Sequence, residues 1–412
     1  MDLFLLITII ISLSALFGYI NVRFLKLPQT IGLMVIAIIF SLAMLAVNAF
    51  SPAVFNYAED IVASIDFSKV LLDVMLCFLL FAGALHTDGS LILAEKKPII
   101  LLSLIGILIS TFVIAGLLYL VTSLLNYPLG FIYCLLFGAL ISPTDPIAVL
   151  GILTKSNVPK RIETNIVGES LFNDGVGVVI FVTILQVIQN GTGNVSYGTV
   201  AVFFLQEAAG GILFGFLLGY IILVLLKSID HYETEVMITI AVVMSGYYIA
   251  SLLHISGPLA MVVAGLFTGS KTRHVAVSET THPYLDKFWE LIDVLMNAML
   301  FVLIGLRLML LDFTIQYLVI GLLAIPVVLA GRWVSVRLPL MLAKKWIAFD
   351  KKAQFLMIWG GLRGGLSFAM ALSLSRDPNK DLLVFITYII VLFSIIVQGL
   401  TVGQLAKILY KD

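Results

Sequence analysis

The sequence predicts an all-α polytopic membrane protein with about 13 transmembrane helices, and three observations carry that reading. Hydrophobic residues fill 61% of the 412 positions and charged residues only 12%, against roughly 25% charged in soluble domains. Apolar runs of about 20 residues, long enough to cross ~30 Å of hydrocarbon, recur along the whole chain. Lys and Arg gather in every second connection between these runs, the bias that orients membrane proteins. No sizeable soluble domain fits beside such runs. The net charge of zero offers no basic face to nucleic acid. Cys77 and Cys134 lie in apolar runs and read as packing residues, without a disulfide or metal role. No basic stretch precedes the first apolar run, which favours a retained helix over a cleaved signal.

In chain order, spans fall at 3–22 and 30–49, with Arg23 and Lys26 between them. The acidic loop 50–66 leads to 67–86, and Lys96 and Lys97 precede 98–123. Span 127–154 follows, then Lys155, Lys160 and Arg161, then 162–188. The uncharged loop 189–197 leads to 198–227, which ends at Lys227, and 235–254 comes next. Span 257–270 is short and opens with Gly257-Pro258, a turn with proline at the first helical position. Lys271 and Arg273 precede 287–311; 314–343 is followed by Lys344, Lys345, Lys351 and Lys352, and then by 352–374. Span 383–408 ends near Lys407 and Lys411, and only Arg376 and Lys380 break the alternation. This charge pattern puts the N-terminus outside and the C-terminus in the cytoplasm.

Two of these spans should be broken. Ser142-Pro143-Thr144-Asp145-Pro146 sits in the middle of the fifth, and Gly360-Gly361-Leu362-Arg363-Gly364-Gly365 in the middle of the twelfth. Proline removes a backbone donor and glycine is a poor helix former. The two spans are seven apart and so run in opposite directions. Interrupted helices at matching places in inverted halves point to a transporter binding site. The chain then reads as one membrane transporter domain, 1–412. It holds two inverted six-helix repeats, about 1–190 and 233–412, joined by a linker helix at about 198–227.

The polar residues inside the spans carry the chemistry. Glu169-Ser170-Leu171-Phe172-Asn173-Asp174 places two carboxyls and an amide in the sixth span. A charge at the bilayer centre costs at least ~2.5 kcal/mol, so each is a functional hypothesis by default. Asp174 lies about 12 residues, or ~18 Å, into its span. Asp145, Arg332 and Arg363 reach the same depth from other spans. Ser170 and Asp174 are four apart and share a helix face, a hydroxyl and a carboxylate suited to an alkali cation. Glu169 and Asn173 share the adjacent face. Arg332 is expected to pair with Glu169, because an unpaired buried charge is costly. Arg363 is expected to neutralise carbonyls at the twelfth-span break and Asp145 to face helix N-termini at the fifth-span break. Thr144 and Ser142 offer further oxygens. Asp73 reads as a polar bridge or entrance residue, His86 as an interface residue, and Glu207, Glu290 and Asp293 as wetted caps near helix ends. The glycines around Arg363 lack the strand that a phosphate loop requires.

Taken together, the 142–146, 169–174 and 360–365 motifs resemble those of the first class of monovalent cation/proton antiporters, the NhaP-type prokaryotic proteins and the animal sodium/proton exchangers. Phe78–His86 and Ser256–Ala260 are similar to that family as well, and the resemblance spans essentially the whole chain. It implies two crossed broken helices within a core domain, helices about 67–188 and 287–408. It also implies a dimerisation domain of about 1–49 and 198–270, hence a homodimer. Asp174 would be the carboxylate that takes cation and proton in turn. Thr144, Asp145 and Ser170 match residues around the transported Na+, with Asp174, Thr144 and Ser170 as its ligands. Asn173 matches the neighbouring amide, where relatives with a second Asp are usually electrogenic. Glu169 and Arg332 match an ion pair, and Arg363 the arginine at the second break. The chain ends just past its last span, without a long regulatory tail, which suggests a prokaryotic inner membrane. The expectation is a secondary antiporter, not an enzyme, exchanging Na+, with Li+ as a second substrate, for H+. No cofactor beyond the transported ions is expected. A K+/H+ antiporter of the same fold and a passive cation channel stay open as alternatives.

Overall fold

The computed structural model describes residues 3–145, 158–190, 197–272, 281–347, 349–374 and 379–410. All regular structure among them is helical. α1 (Leu3–Ile20) and α2 (Gln29–Asn48) form the first two spans. α3 (Pro52–Ala63) follows, its proline in the first helical turn. α4 (Leu76–Leu85) continues a wide-turned segment, Lys69–Met75. A short helix, α5 (Gly89–Ala94), starts at Asp88, whose carboxylate accepts from the backbone N–H groups of Ser90 and Leu91. α6 (Lys96–Leu124), α7 (Phe131–Ile141) and α8 (Lys160–Asn190) complete the first half, α9 (Tyr197–Lys227) is the connector, and α10 (Tyr232–Leu252) opens the second half.

The second half holds α11 (Gly257–Phe267), capped by the Ser256 hydroxyl, and α12 (His282–Leu306). α13 (Ile315–Leu342) is capped by Thr314, and α14 (Lys351–Trp359) by Asp350. α15 (Gly365–Leu372) and α16 (Lys380–Leu409) complete the chain. Nine helices among the described residues are long and apolar enough to cross a membrane; α7 and α11 are shorter. α14 and α15 are the two halves of the predicted twelfth span, separated at 360–364. The far half of the predicted fifth span, from Pro146, lies outside the described residues, as do Lys155, Arg273, Arg376 and Lys411.

Three expectations change. The acidic stretch 50–66 is not simply a loop, because α3 fills most of it. Ser51-Pro52 is the local start signal there. Glu207 and Asp293 are not end caps: Glu207 lies well inside α9 and Asp293 in the middle of α12. α12 begins at His282 rather than 287, more than a turn earlier, with Pro283 in its first turn.

Packing surrounds the polar centre with apolar helix faces. α7 lies between α6, α8 and α15, and α15 rests on α16 and α12. α11 is wedged between α9 and α4 and also touches α8. Phe4, Leu16, Leu213 and Phe216 on α1 and α9 remain exposed, as expected for helices bordering hydrocarbon. α9 approaches α11 closely because glycine recurs at every fourth position. A Cβ on Gly211, Gly215 or Gly219 would lie 2.6 Å from Ser256 O, 2.6 Å from Ala260 O and 2.8 Å from Phe267 Cβ respectively.

Candidate functional site: two crossed breaks around one cavity

The two interruptions meet. The Asp145 backbone N–H donates to Leu362 O at 2.7 Å, so the 142–145 and 360–364 segments are bonded directly to each other. Each non-helical stretch leaves helix ends with unsatisfied groups and a partial charge. Arg363 supplies the cation for the end of α7: its Nη1 donates to Ser142 O and, at 3.0 Å, to Pro143 O. Its own N–H donates to Ser394 Oγ at 2.7 Å. The Asp145 carboxylate lies against Gly364, the N-cap of α15, where a Cβ would collide with it. A carboxylate at that N-terminus meets the positive end of the helix dipole.

The expectation that Arg363 serves its own break is therefore corrected. Arg363 serves the carbonyls of the other break, and Arg332 takes part of the role foreseen for it. Arg332 Nη2 donates to Met357 O, near the end of α14, at 2.9 Å. Sequence spacing cannot reveal this exchange, since it depends on how the two breaks cross. Gly361 makes room for Arg332, for a Cβ there would lie 2.5 Å from its Nε.

Glu169 and Arg332 form a bidentate pair: Nη1 reaches Oε1, and Nη2 reaches Oε2 at 3.1 Å. Glu169 is 2% exposed and Arg332 6%, so the pair is sealed from solvent. One turn along α8, Asn173 clamps Thr144. Its Oδ1 accepts from the Thr144 N–H at 3.2 Å and its Nδ2 donates to Thr144 Oγ1 at 2.9 Å. Thr144 Oγ1 and Ser170 Oγ are 2.9 Å apart. Both ends of the Asn173 amide are thus engaged in holding the first break, and Thr144, Ser170 and Asn173 are all buried.

Asp174 is placed differently. It lines a cavity of about 70 Å³ together with Asp145, Asn297, Gly364 and Ser367, under an apolar wall from α4 and the segment before it. That volume holds a few waters or a partly hydrated ion. Among the described residues, no hydrogen bond or ion pair engages the Asp174 carboxylate. Thr144, Ser170 and Asn173 stand beside this cavity without lining it. Asp73 is exposed and Glu207 lies on α9, and neither lines it. His86 closes the end of α4, its ring nitrogens 2.8 Å from Ala82 O and 3.3 Å from Asp286 O.

Two cavity residues escaped the sequence reading, Asn297 and Ser367. The signal for Asn297 was available. Asp286, Glu290, Asp293 and Asn297 follow one another at spacings of four, three and four, a single polar stripe on α12.

The family described as "Sodium/hydrogen exchanger, transmembrane" matches residues 11–408. The Na(+)/H(+) antiporter NhaP of Pseudomonas aeruginosa is 47% identical over 410 residues, 98% of this chain and 96% of that one. The Na(+)/H(+) antiporter NhaH of Halobacillus aidingensis is 33% identical, with 98% of each chain covered. The solved structure of the sodium proton antiporter MjNhaP1 of Methanocaldococcus jannaschii superposes over 100% of both chains. Its TM-score is 0.77 at 22% identity, a likeness of fold.

Proposed function

Since the chain belongs to the sodium/hydrogen exchanger family, we propose that it exchanges one Na+ for one H+ across the membrane, with Asp174 as the group that binds them in turn. One observation carries the reading: among the charged groups of the centre, Asp174 alone faces the cavity without a fixed partner in the described residues. Glu169 is neutralised by Arg332, and Arg363 by carbonyls of the first break. A carboxylate left in low dielectric needs a counter-charge, and a sodium ion or a proton supplies it. The two compete for the same oxygens, so binding one expels the other. Asp145 and the hydroxyls of Thr144 and Ser170 add oxygens close by.

Asn173 carries no titratable proton, so one charge enters for each that leaves and exchange is electroneutral. Alternating access has the core, about 67–188 and 287–408, move against a dimerisation unit of about 1–49 and 198–270. The N-terminus lies outside, the C-terminus in the cytoplasm, and two copies pair through α1 and α9 in a prokaryotic inner membrane. Reconstitution in proteoliposomes tests the reading. The rate should not change when the membrane potential is clamped, and Asp174→Asn should abolish exchange. The apparent KM for Na+ should rise as pH falls, tenfold per unit once protons fill the carboxylate, and level off at high pH. An active Asp174→Asn protein, or a KM indifferent to pH, overturns the assignment.

A further inference from the structure

We infer that Asn297 is a ligand of the transported cation, a neutral oxygen held in the cavity wall by Asp293. The inference rests on the proposed exchange at Asp174 and adds to it an oxygen from a different helix. Asn297 is 4% exposed and lines the cavity that Asp174 and Asp145 also line. Its Nδ2 donates twice to Asp293, to the backbone O at 2.8 Å and to Oδ1 at 3.1 Å. Both partners accept only, so the amide has one sensible orientation: turned over, it would set oxygen against oxygen. Both amide hydrogens are thereby spent, and Oδ1 is the atom left over.

That Oδ1 is buried and has no hydrogen-bond partner among the described residues. Buried acceptors are nearly always satisfied, and an orphan in a native centre calls for an explanation. Ser367 Oγ, on α15 and in the wall of the same cavity, is orphaned too. A cavity lined by two carboxylates, that of Asp174 without a fixed partner among the described residues, and by two unused oxygens is matched by a small hard cation, which takes oxygen ligands and donates nothing. A proton does not need them, since one carboxylate oxygen binds it. Asn297 therefore favours the cation-bound form over the protonated one, and it should set Na+ affinity without changing how fast the loaded protein turns over.

Asp293 is the positioning residue. It sits between exposed Glu290 and buried Asn297 on the polar stripe of α12, and it is near enough to Asp145 and His86 for their charges to interact. Its role is to fix the amide, and removing its carboxylate leaves only the backbone contact.

The experiment measures ²²Na+ binding to the purified full-length protein in detergent, and Na+-dependent exchange in proteoliposomes, at one alkaline pH. Asn297→Ala and Asn297→Leu, one leaving space and one keeping the shape, should weaken Na+ binding about tenfold or more. The KM for Na+ should rise in step, with the maximal rate within about twofold of wild type. Asp293→Ala should give a smaller rise, about threefold, with the same maximal rate. It remains informative if the Asn297 variants do not fold. Wild-type binding and KM in a folded Asn297 variant, or in Asp293→Ala where neither Asn297 variant folds, overturns the inference. So does a fall in maximal rate with KM unchanged. Asp174→Asn, measured alongside, reports on the underlying reading: undiminished ²²Na+ binding there sinks Asp174 as the site while leaving the Asn297 ratio interpretable.

Discussion

At the scale of single residues, the centre separates charges that hold the fold from one that is left for a ligand. Glu169 and Arg332 lie in the first group, and they cannot be removed singly without cost. Arg332→Met strands a carboxylate that is 2% exposed and also frees Met357 O. Breaking a buried pair in this way costs about 3–5 kcal/mol. A thermal melt of the detergent-solubilised protein should show that loss, and Glu169→Gln combined with Arg332→Met should recover most of it. A single Arg332→Met variant as stable as wild type contradicts the pairing argument. Asn173→Ala should cost about 1–3 kcal/mol in the same melt, because the buried Thr144 N–H loses its acceptor. The deep charges were legible in the sequence because burial of Asp174, Glu169 or Arg332 has no cheap explanation. Asn297 was legible only as the last member of the polar stripe that begins at Asp286, since an uncharged amide in an apolar run raises no alarm by itself. Asp293 was misplaced because a helix start set at 287 makes it look like a wetted end.

At the scale of elements, the centre is built from ends rather than middles of helices. α7 ends at the first break, α14 ends and α15 begins at the second, and each end is neutralised from elsewhere. Proline and glycine in the two motifs announced the breaks, because neither residue type sustains a helix interior. Their crossing, and the reach of Arg363 into the opposite break, depend on how the two segments pack and have no local signature. Gly364 shows what the crossing demands. Its φ of −123° suits any residue, so conformational freedom is not its purpose. Close approach is, for an added Cβ meets the Asp145 carboxylate. Gly364→Ala must push that carboxylate off the end of α15. Overpacking of this kind costs ~1–3 kcal/mol, and if the cost falls on the working site it slows exchange about tenfold or more. Exchange at the wild-type rate would show that the seat of Asp145 on α15 is dispensable.

At the scale of the whole molecule, the proposed motion makes a demand on particular contacts. α11 would belong to the dimerisation unit and α4 to the core, and glycines bring the two together. A Cβ on Gly265 would lie 2.7 Å from Ala84 Cβ and 2.6 Å from Phe81 O. α9 and α11 meet just as closely, yet both would belong to the same unit; a Cβ on Gly211 would lie 3.0 Å from Ser256 Cβ. Disulfides need Cβ atoms ~3.5–4.5 Å apart, so either pair of positions reaches bonding geometry with a shift of about 1 Å. The native Cys77 and Cys134 are buried and can stay. Paired cysteines at 84 and 265 should, once oxidised, stop exchange in proteoliposomes, and a reductant should restore it. The pair at 211 and 256 should oxidise and leave exchange largely unchanged, because that bond ties together two helices that travel as one. The comparison separates a moving boundary from a merely fragile one. If both bonds stop exchange, close packing everywhere is what transport requires. If the 84–265 bond forms and exchange continues, α4 and α11 do not slide past each other, and access to Asp174 must alternate by some other movement.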